Sequence, residues 1–333
     1  MSSKRLAIIG ISTASLLLFG AFGYFSYTYL LTLRTYKPIP LERVLNEERV
    51  AKVFGVDERK NPSAFGFAYS EETYISKLDN LKLSGWFMPA KREDSVKRCL
   101  VFVHGRSDNR MMMMKYLELV RTTGLDSSYA VYMGDMRNAG NSEPGTTDMG
   151  YENAEDILYT LDYLHTQKKI THVVIFAHSM GAMATSILFH RPDLQADVQY
   201  LQQSGMTIDK VILDSPLANV RDNVLNTGAT TRGIPLSVMN QLLWLFDVVK
   251  GGYLDSMRLS VTLRNVHIPI LITQMRQDSV TPTPILEREL SLLQNASVRV
   301  KYFPKGAHVR GYLVPEQKEE FTRTIAEFIH THR

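Results

Sequence analysis

The chain has 333 residues, 44% hydrophobic and 22% charged, with 38 Lys and Arg against 34 Asp and Glu for a formal charge of +4. This length supports one large core or two modest ones, and the composition is that of a globular protein, which excludes a disordered or fibrous chain. The basic residues are scattered, so no electrostatic footprint for nucleic acid is present. The single cysteine, Cys99, excludes an internal disulfide; it opens an apolar run and reads as a buried thiol.

In chain order, Lys4 and Arg5 precede a stretch from Leu6 to Leu33 that carries no charge and is interrupted only by Ser, Thr, Gly and Tyr. A mostly apolar run longer than about 18 residues is a candidate membrane-spanning helix, and Tyr24, Tyr27 and Tyr29 suit an interfacial belt. The rival reading is a cleaved signal peptide with Ala21-Phe22-Gly23 as its small-residue site. The apolar run continues well past that site, which favours an uncleaved anchor over residues 1–35. Lys4 and Arg5 favour a cytoplasmic N-terminus with the main domain on the other side, although Arg34, Lys37, Arg43, Arg49 and Lys52 pull the other way. Residues 36–62 are polar and mixed, with Pro38 and Pro40, and read as a linker. Residues 63–333 form the main domain. Asn295-Ala296-Ser297 is a sequon of a kind that arises often by chance.

Within the domain, Glu71–Lys77 and Leu81–Met88 read as strands joined by a turn at Asp79-Asn80. Five further apolar runs follow: Cys99–Val103, Ala130–Met133, Val173–Phe176, Val211–Leu213 and Ile268–Ile272. Val298–Phe303 closes the series. Helical patterns fall at Met111–Arg121, Glu152–His165, Gly181–Phe189, Pro284–Leu293 and Pro315–His330. Buried strands alternating with amphipathic helices predict an α/β fold, a mostly parallel sheet covered on both faces, with an antiparallel edge from the first two strands. The interval of about 217–266 has no obvious strand; Ile234–Met239 and Leu242–Phe246 mark it as a helical insertion, read as a lid, with an ordinary crossing helix as the alternative.

The chemistry concentrates at Ala177-His178-Ser179-Met180-Gly181, between the strand Val173–Phe176 and the helix that starts at once. A serine at the tip of a strand–turn–helix junction, with small residues two before and two after it, is the pattern of an exposed nucleophile; a helix-capping serine is the alternative. Such a serine needs a base, and the base needs a carboxylate to fix its tautomer. Asp278 lies on the loop after Ile268–Thr273, at a strand end where active sites of open α/β sheets gather. Asp214 also ends a strand and competes for the same role. His308 lies on the glycine-containing loop after the last strand and is the expected base. The N–H groups of Met180, next after the serine, and of Arg106, in His104-Gly105-Arg106-Ser107, are the expected donors to an oxyanion, with His104 bracing that loop. Asp135 and Arg137 read as a structural ion pair. Met111–Met114 suit either an acyl pocket or core filling. No His-x-x-x-His or paired-cysteine set calls for a metal or other cofactor.

These five ordered elements (His104-Gly105, Asp135-x-Arg137-x-x-Gly140-x-Ser142, the Ser179 junction, Asp278 and His308) resemble the alpha/beta-hydrolase superfamily from about Phe65 to the end. Leu81–Ala90 and the Asp214-Ser215-Pro216 strand end resemble the branch of membrane-anchored serine hydrolases similar to monoacylglycerol lipases, lysophospholipases and acyl-protein thioesterases, which borders on the prolyl-oligopeptidase-like peptidases. Departures are Ala177 and Asn80 where glycine is usual; Asn80 tolerates a positive φ. The resemblance implies the fold, the Ser179–His308–Asp278 roles and hydrolysis of an ester, thioester or lipid substrate. The alternatives are a peptidase of the same fold and a non-catalytic, membrane-tethered binding protein.

Overall fold

The computed structural model describes residues 3–34, 40–41, 61–92 and 97–331; most of the expected linker lies outside them. Eight strands form one sheet: β1 Ser70–Ile75, β2 Lys82–Met88, β3 Arg98–Val103, β4 Tyr129–Asp135, β5 His172–His178, β6 Thr207–Asp214, β7 Ile270–Met275 and β8 Val298–Phe303. Their order across the sheet is β1-β2-β4-β3-β5-β6-β7-β8. β1 and β2 pair antiparallel, as do β2 and β4; every later pairing is parallel. Asn80 makes the β1–β2 turn with φ +57°.

The helices are α1 Ser3–Arg34, α2 Leu117–Thr122, α3 Asn153–Lys168, α4 Ser179–Leu188, α5 Gln195–Gln203, α6 Val220–Arg232, α7 Leu236–Lys250, α8 Leu259–Thr262, α9 Thr283–Leu292 and α10 Pro315–His330. The central strands are apolar throughout because both faces are covered. Their side chains alternate between the two layers. Cys99, Val101, Val103, Val173, Ile175 and Ala177 join the layer of α3, α4 and the insertion helices. Leu100, Phe102, Val174 and Phe176 join the layer of α2 and α10. Cys99 is wholly buried, and burial pushes its thiol pKa up, so it is an inert packing group. Met111–Met114 open not an α-helix but a 3-10 segment, Arg110–Tyr116, that is buried along its whole length in the second layer; they fill the core.

The 217–266 interval folds as α6, α7 and α8. Among the described residues, no helix is long and apolar enough to cross a membrane. In α1 the side chains at 3–9, 11, 14 and 28–34 lie outside the described set. Those described include the exposed Leu16, Leu17, Leu18, Phe19, Tyr24 and Tyr27, and the helix runs against α7. At the sequon, Asn295 Nδ2, the atom a glycan would use, donates to the carbonyls of Leu263 and Val266 at 2.6 and 2.8 Å.

Candidate active site

β5 delivers the chain to the upper edge of the sheet, and α4 starts at Ser179 with φ +50°. That backbone strain at a non-glycine residue holds the side chain out of the strand and ahead of the helix. The junction is crowded. A Cβ added at Gly181 would lie 2.3 Å from the His104 carbonyl oxygen and 2.8 Å from Val103 Cγ1, and Ala177 is wholly buried. The small residues flanking Ser179 are therefore steric requirements. Gly181→Val is expected to push the His104 loop away and to lower turnover by at least about 100-fold, as misplacement by roughly 1 Å does elsewhere; steady-state kinetics on the purified full-length protein checks this.

The structure brings Ser179, His308 and Asp278 together. His308 Nε2 lies 2.8 Å from Ser179 Oγ, and His308 Nδ1 lies 2.8 Å from Asp278 Oδ2. The carboxylate is saturated with donors: Oδ1 accepts from the N–H groups of Val280 and Thr281 at 2.8 and 2.9 Å, and Oδ2 accepts the Thr281 hydroxyl at 2.7 Å. An ionised carboxylate only accepts, so Nδ1 is the protonated nitrogen and Nε2 is left to accept the serine proton. Burial alone would raise the Asp278 pKa, but the hydrogen bonds from His308 and Thr281 outweigh it and the net shift is downward. A carboxyl with a depressed folded-state pKa stabilises the fold above its ordinary value of 3.8 and loses that contribution as pH falls through the lower value. Unfolding free energies of wild type and Asp278→Asn should therefore differ by a constant amount from neutral pH down to about 3.8 and converge below it.

The loop carrying His308 is held from behind. Gly306 and Val309 have φ +104° and +51°. The Val309 carbonyl accepts the ammonium of buried Lys115 at 2.6 Å, and its N–H donates to Ser215 Oγ at 3.3 Å. Burial depresses the Lys115 pKa to about 8, with Asp214 and Asp108 drawing it back up. Sequence reasoning missed Lys115, Ser215 and Thr281. Lys115 did leave a signal: a lone charge between Met114 and Tyr116 in an apolar segment.

Asp214 does not reach the base as the competing carboxylate. It lies under the site, wholly buried, with Thr273 Oγ1 donating to Oδ1 at 2.9 Å and the Tyr116 hydroxyl donating to Oδ2 at 3.1 Å. That hydroxyl also meets His178 Nε2 at 2.8 Å. Its one proton goes to Asp214, so His178 donates from Nε2 and is neutral. Burial, followed by the charge of Lys115, pushes the His178 pKa well down. His178 thus points away from the cavity and serves as support.

Met180 is the second residue of α4, so its N–H is one of the amides without an intrahelical partner, at the positive end of the helix dipole. Arg106 lines the same cavity as Ser179. A Cβ on the preceding Gly105 would lie 3.2 Å from Ser179 Cβ, which puts this loop against the nucleophile. His104 is wholly buried. Its Nε2 accepts the Met136 N–H at 3.0 Å, so Nδ1 carries the proton and donates to the Gly105 carbonyl at 2.7 Å. The loop geometry is fixed through that ring.

Asp135 and Arg137 are not paired with each other. Asp135 Oδ2 lies 3.4 Å from the Arg110 guanidinium, with both side chains wholly buried, and Oδ1 accepts the Arg110 N–H at 2.8 Å. Arg137 instead binds Asp156, Asp79 and Glu155 at 2.8, 2.8 and 3.1 Å. The expected pairing fails because both side chains reach the neighbouring layers rather than each other. Gly140, at φ +51°, is required: a Cβ there would strike the Asp135 carboxylate at 1.9 Å.

Ser179 and His308 open onto a cavity of about 390 Å³ whose wall includes Met149, Leu217, Val224 and Ile234. A larger cavity, about 870 Å³, lies at the opposite edge of the sheet against His172, Thr207 and Ile268. Ligands of open α/β sheets bind at the carboxyl ends of the strands, and of these two cavities the smaller is the one that lies there. Among the described residues no cluster of His, Cys, Asp and Glu is placed to hold a metal ion.

Residues 99–197 match a family described as alpha/beta hydrolase fold. No curated protein matches the chain. Among solved structures, an esterase from Pyrococcus furiosus is similar at 19% identity and TM-score 0.60, over 81% of this chain and 94% of that one. Est1E from Butyrivibrio proteoclasticus, with ferulic acid bound, is similar at 16% identity and TM-score 0.55, over 78% and 100%. A Pyrococcus horikoshii acylaminoacyl peptidase is similar at 14% identity and TM-score 0.56, over 82% of this chain but 44% of that one.

Proposed function

For a member of the alpha/beta-hydrolase superfamily with this site, we propose hydrolysis of carboxylic esters or thioesters through an acyl-enzyme. The observation that carries the reading is the Ser179–His308–Asp278 relay, with both contacts at 2.8 Å, facing an apolar cavity. Ser179 Oγ attacks the carbonyl carbon while His308 Nε2 takes its proton. The oxyanion is held by the N–H groups of Met180 and Arg106. The tetrahedral intermediate expels the alcohol or thiol, which takes the proton from His308. Water then repeats the sequence and frees the acid. Asp278 keeps Nδ1 protonated and steadies the imidazolium. The similarity to an esterase fold is compatible with this chemistry.

The reading extends to lipid or acylated substrates met at a membrane. Its support is the uncharged run Leu6–Leu33, the exposed apolar side chains of α1, and the exposed Leu236, Trp244, Val248 and Val249 of α7 beside it. On this reading α6 and α7 are the cap over the cavity and α1 tethers the domain. The test is a rate comparison between p-nitrophenyl butyrate and acyl-aminoacyl p-nitroanilides. Higher kcat/KM on the ester supports the proposal, higher kcat/KM on the amide favours a peptidase, and no turnover of either favours a binding protein.

A further inference from the structure

Resting on that reading, we propose that Lys115 is a positioning residue for the reaction: its ammonium holds a strained peptide at Val309 and so keeps His308 Nε2 against Ser179 Oγ. Val309 directly follows the base and has φ +51°. For a β-branched residue that conformation is an outlier, and it persists only where the surroundings impose it. The Val309 side chain is 3% exposed. Its carbonyl accepts the Lys115 ammonium at 2.6 Å, and its N–H donates to Ser215 Oγ at 3.3 Å. The first tie is short and charge-assisted, a class roughly twice as strong as a neutral hydrogen bond; the second is long. Without the first, the peptide relaxes and carries the adjoining imidazole away from its 2.8 Å contacts with Ser179 and Asp278.

Packing is a poor account of this ammonium. Lys115 is 2% exposed, and burying a charge is costly unless it is compensated. Methionine, which fills the four positions before it, would occupy similar space without that cost. Asp214 at the end of β6 and Asp108 on the loop that carries Arg106 favour the charge, while Arg310 on the His308 loop opposes it. His178 at the end of β5 is held neutral, and the Tyr116 ring lies 5.1 Å from the ammonium. Burial outweighs the two carboxylates and lowers the Lys115 pKa to about 8. The tie to Val309 is therefore charge-assisted below about pH 8 and weakens to a neutral hydrogen bond as pH rises through that value.

The test is kcat and KM for p-nitrophenyl butyrate, from about pH 6 to about pH 9.5, on full-length wild type, Lys115→Met and Lys115→Arg, corrected for spontaneous hydrolysis. The proposal expects wild-type kcat to fall by about tenfold to a plateau as pH passes about 8, with KM steady. Lys115→Met should lower kcat at neutral pH by about 10- to 100-fold, with KM little changed and no alkaline fall. Lys115→Arg stays charged across the range, so it should lose the alkaline fall and keep more activity than the methionine variant. A role in packing alone would move neither the pH profile nor kcat apart from KM. A Lys115→Met protein within about threefold of wild-type kcat at neutral pH, a loss carried by KM, or a wild type without an alkaline fall would overturn the proposal. So would an alkaline fall in Lys115→Arg equal to that of wild type, and the wild-type and arginine profiles decide the matter if the methionine variant does not fold. No turnover of any ester by wild type would instead remove the hydrolase reading on which the proposal rests.

Discussion

Ser179→Ala is expected to lower kcat on any ester substrate by about 10⁴-fold or more, with little change in KM. In serine hydrolases, loss of the nucleophile alone removes nearly all that the three residues achieve together, leaving only the contribution of binding and the oxyanion donors. The local structure makes this a clean test. Ser179 Oγ has His308 Nε2 as its partner at 2.8 Å, and alanine is as small as serine, so the crowded junction between the His104 carbonyl and Gly181 is undisturbed. Circular dichroism and melting temperature should match wild type. A variant that keeps more than about one per cent of wild-type kcat would place the nucleophile elsewhere.

The largest expected loss of stability follows Arg137→Met. Arg137 is 1% exposed. Its Nε donates to Asp156 at 2.9 Å, its Nη2 meets Asp156, Asp79 and Glu155, and its Nη1 donates to the Thr146 carbonyl at 3.2 Å. Burial would lower its pKa, but Asp156 and the other carboxylates outweigh that and keep it charged. Methionine fills much of the space but leaves Asp156, itself buried, without its counter-charge. Breaking a buried pair from one side costs about 3–5 kcal/mol, a fall in melting temperature on the order of 10 °C for a domain of this size. Glu155 contributes less to that loss because Arg191 also binds it, at 2.6 Å. The double variant Arg137→Met/Asp156→Asn should recover part of the stability; a single-variant loss under about 1 kcal/mol would show the network to be weak.

These two residues differ in how the sequence discloses them. Ser179 and Asp278 each closely follow a strand built on a continuous apolar run, legible because a parallel sheet covered on both faces needs such runs, whereas His308 follows the alternating edge strand Val298–Phe303, which carries Arg299 and Lys301. The position of each loop relative to the sheet then follows from topology. Arg137 is different. Its nearest charged neighbour in sequence, Asp135, belongs to Arg110, while its own partners lie at 79, 155 and 156. Spacing along a loop says nothing of which layer a long side chain enters. Lys115 supports Val309 from 194 positions away, a contact visible only once β8 stands beside β7. Helix α5 escaped because Val198 and Leu201 are its only buried side chains, too few for a helical period to show. The pattern Met111–Arg121 suggests an α-helix, but its first turns belong to the 3-10 segment Arg110–Tyr116, which with every side chain buried has no polar face to betray its true pitch.

The most direct test of an activated Ser179 is covalent labelling of the full-length protein with a fluorophosphonate probe, followed by mass spectrometry of the peptide Val173–Leu188. The account predicts a single adduct on Ser179 oxygen, absent in Ser179→Ala and strongly slowed in Asp278→Asn. A folded wild-type protein that acquires no adduct, or acquires one on another residue, would contradict it.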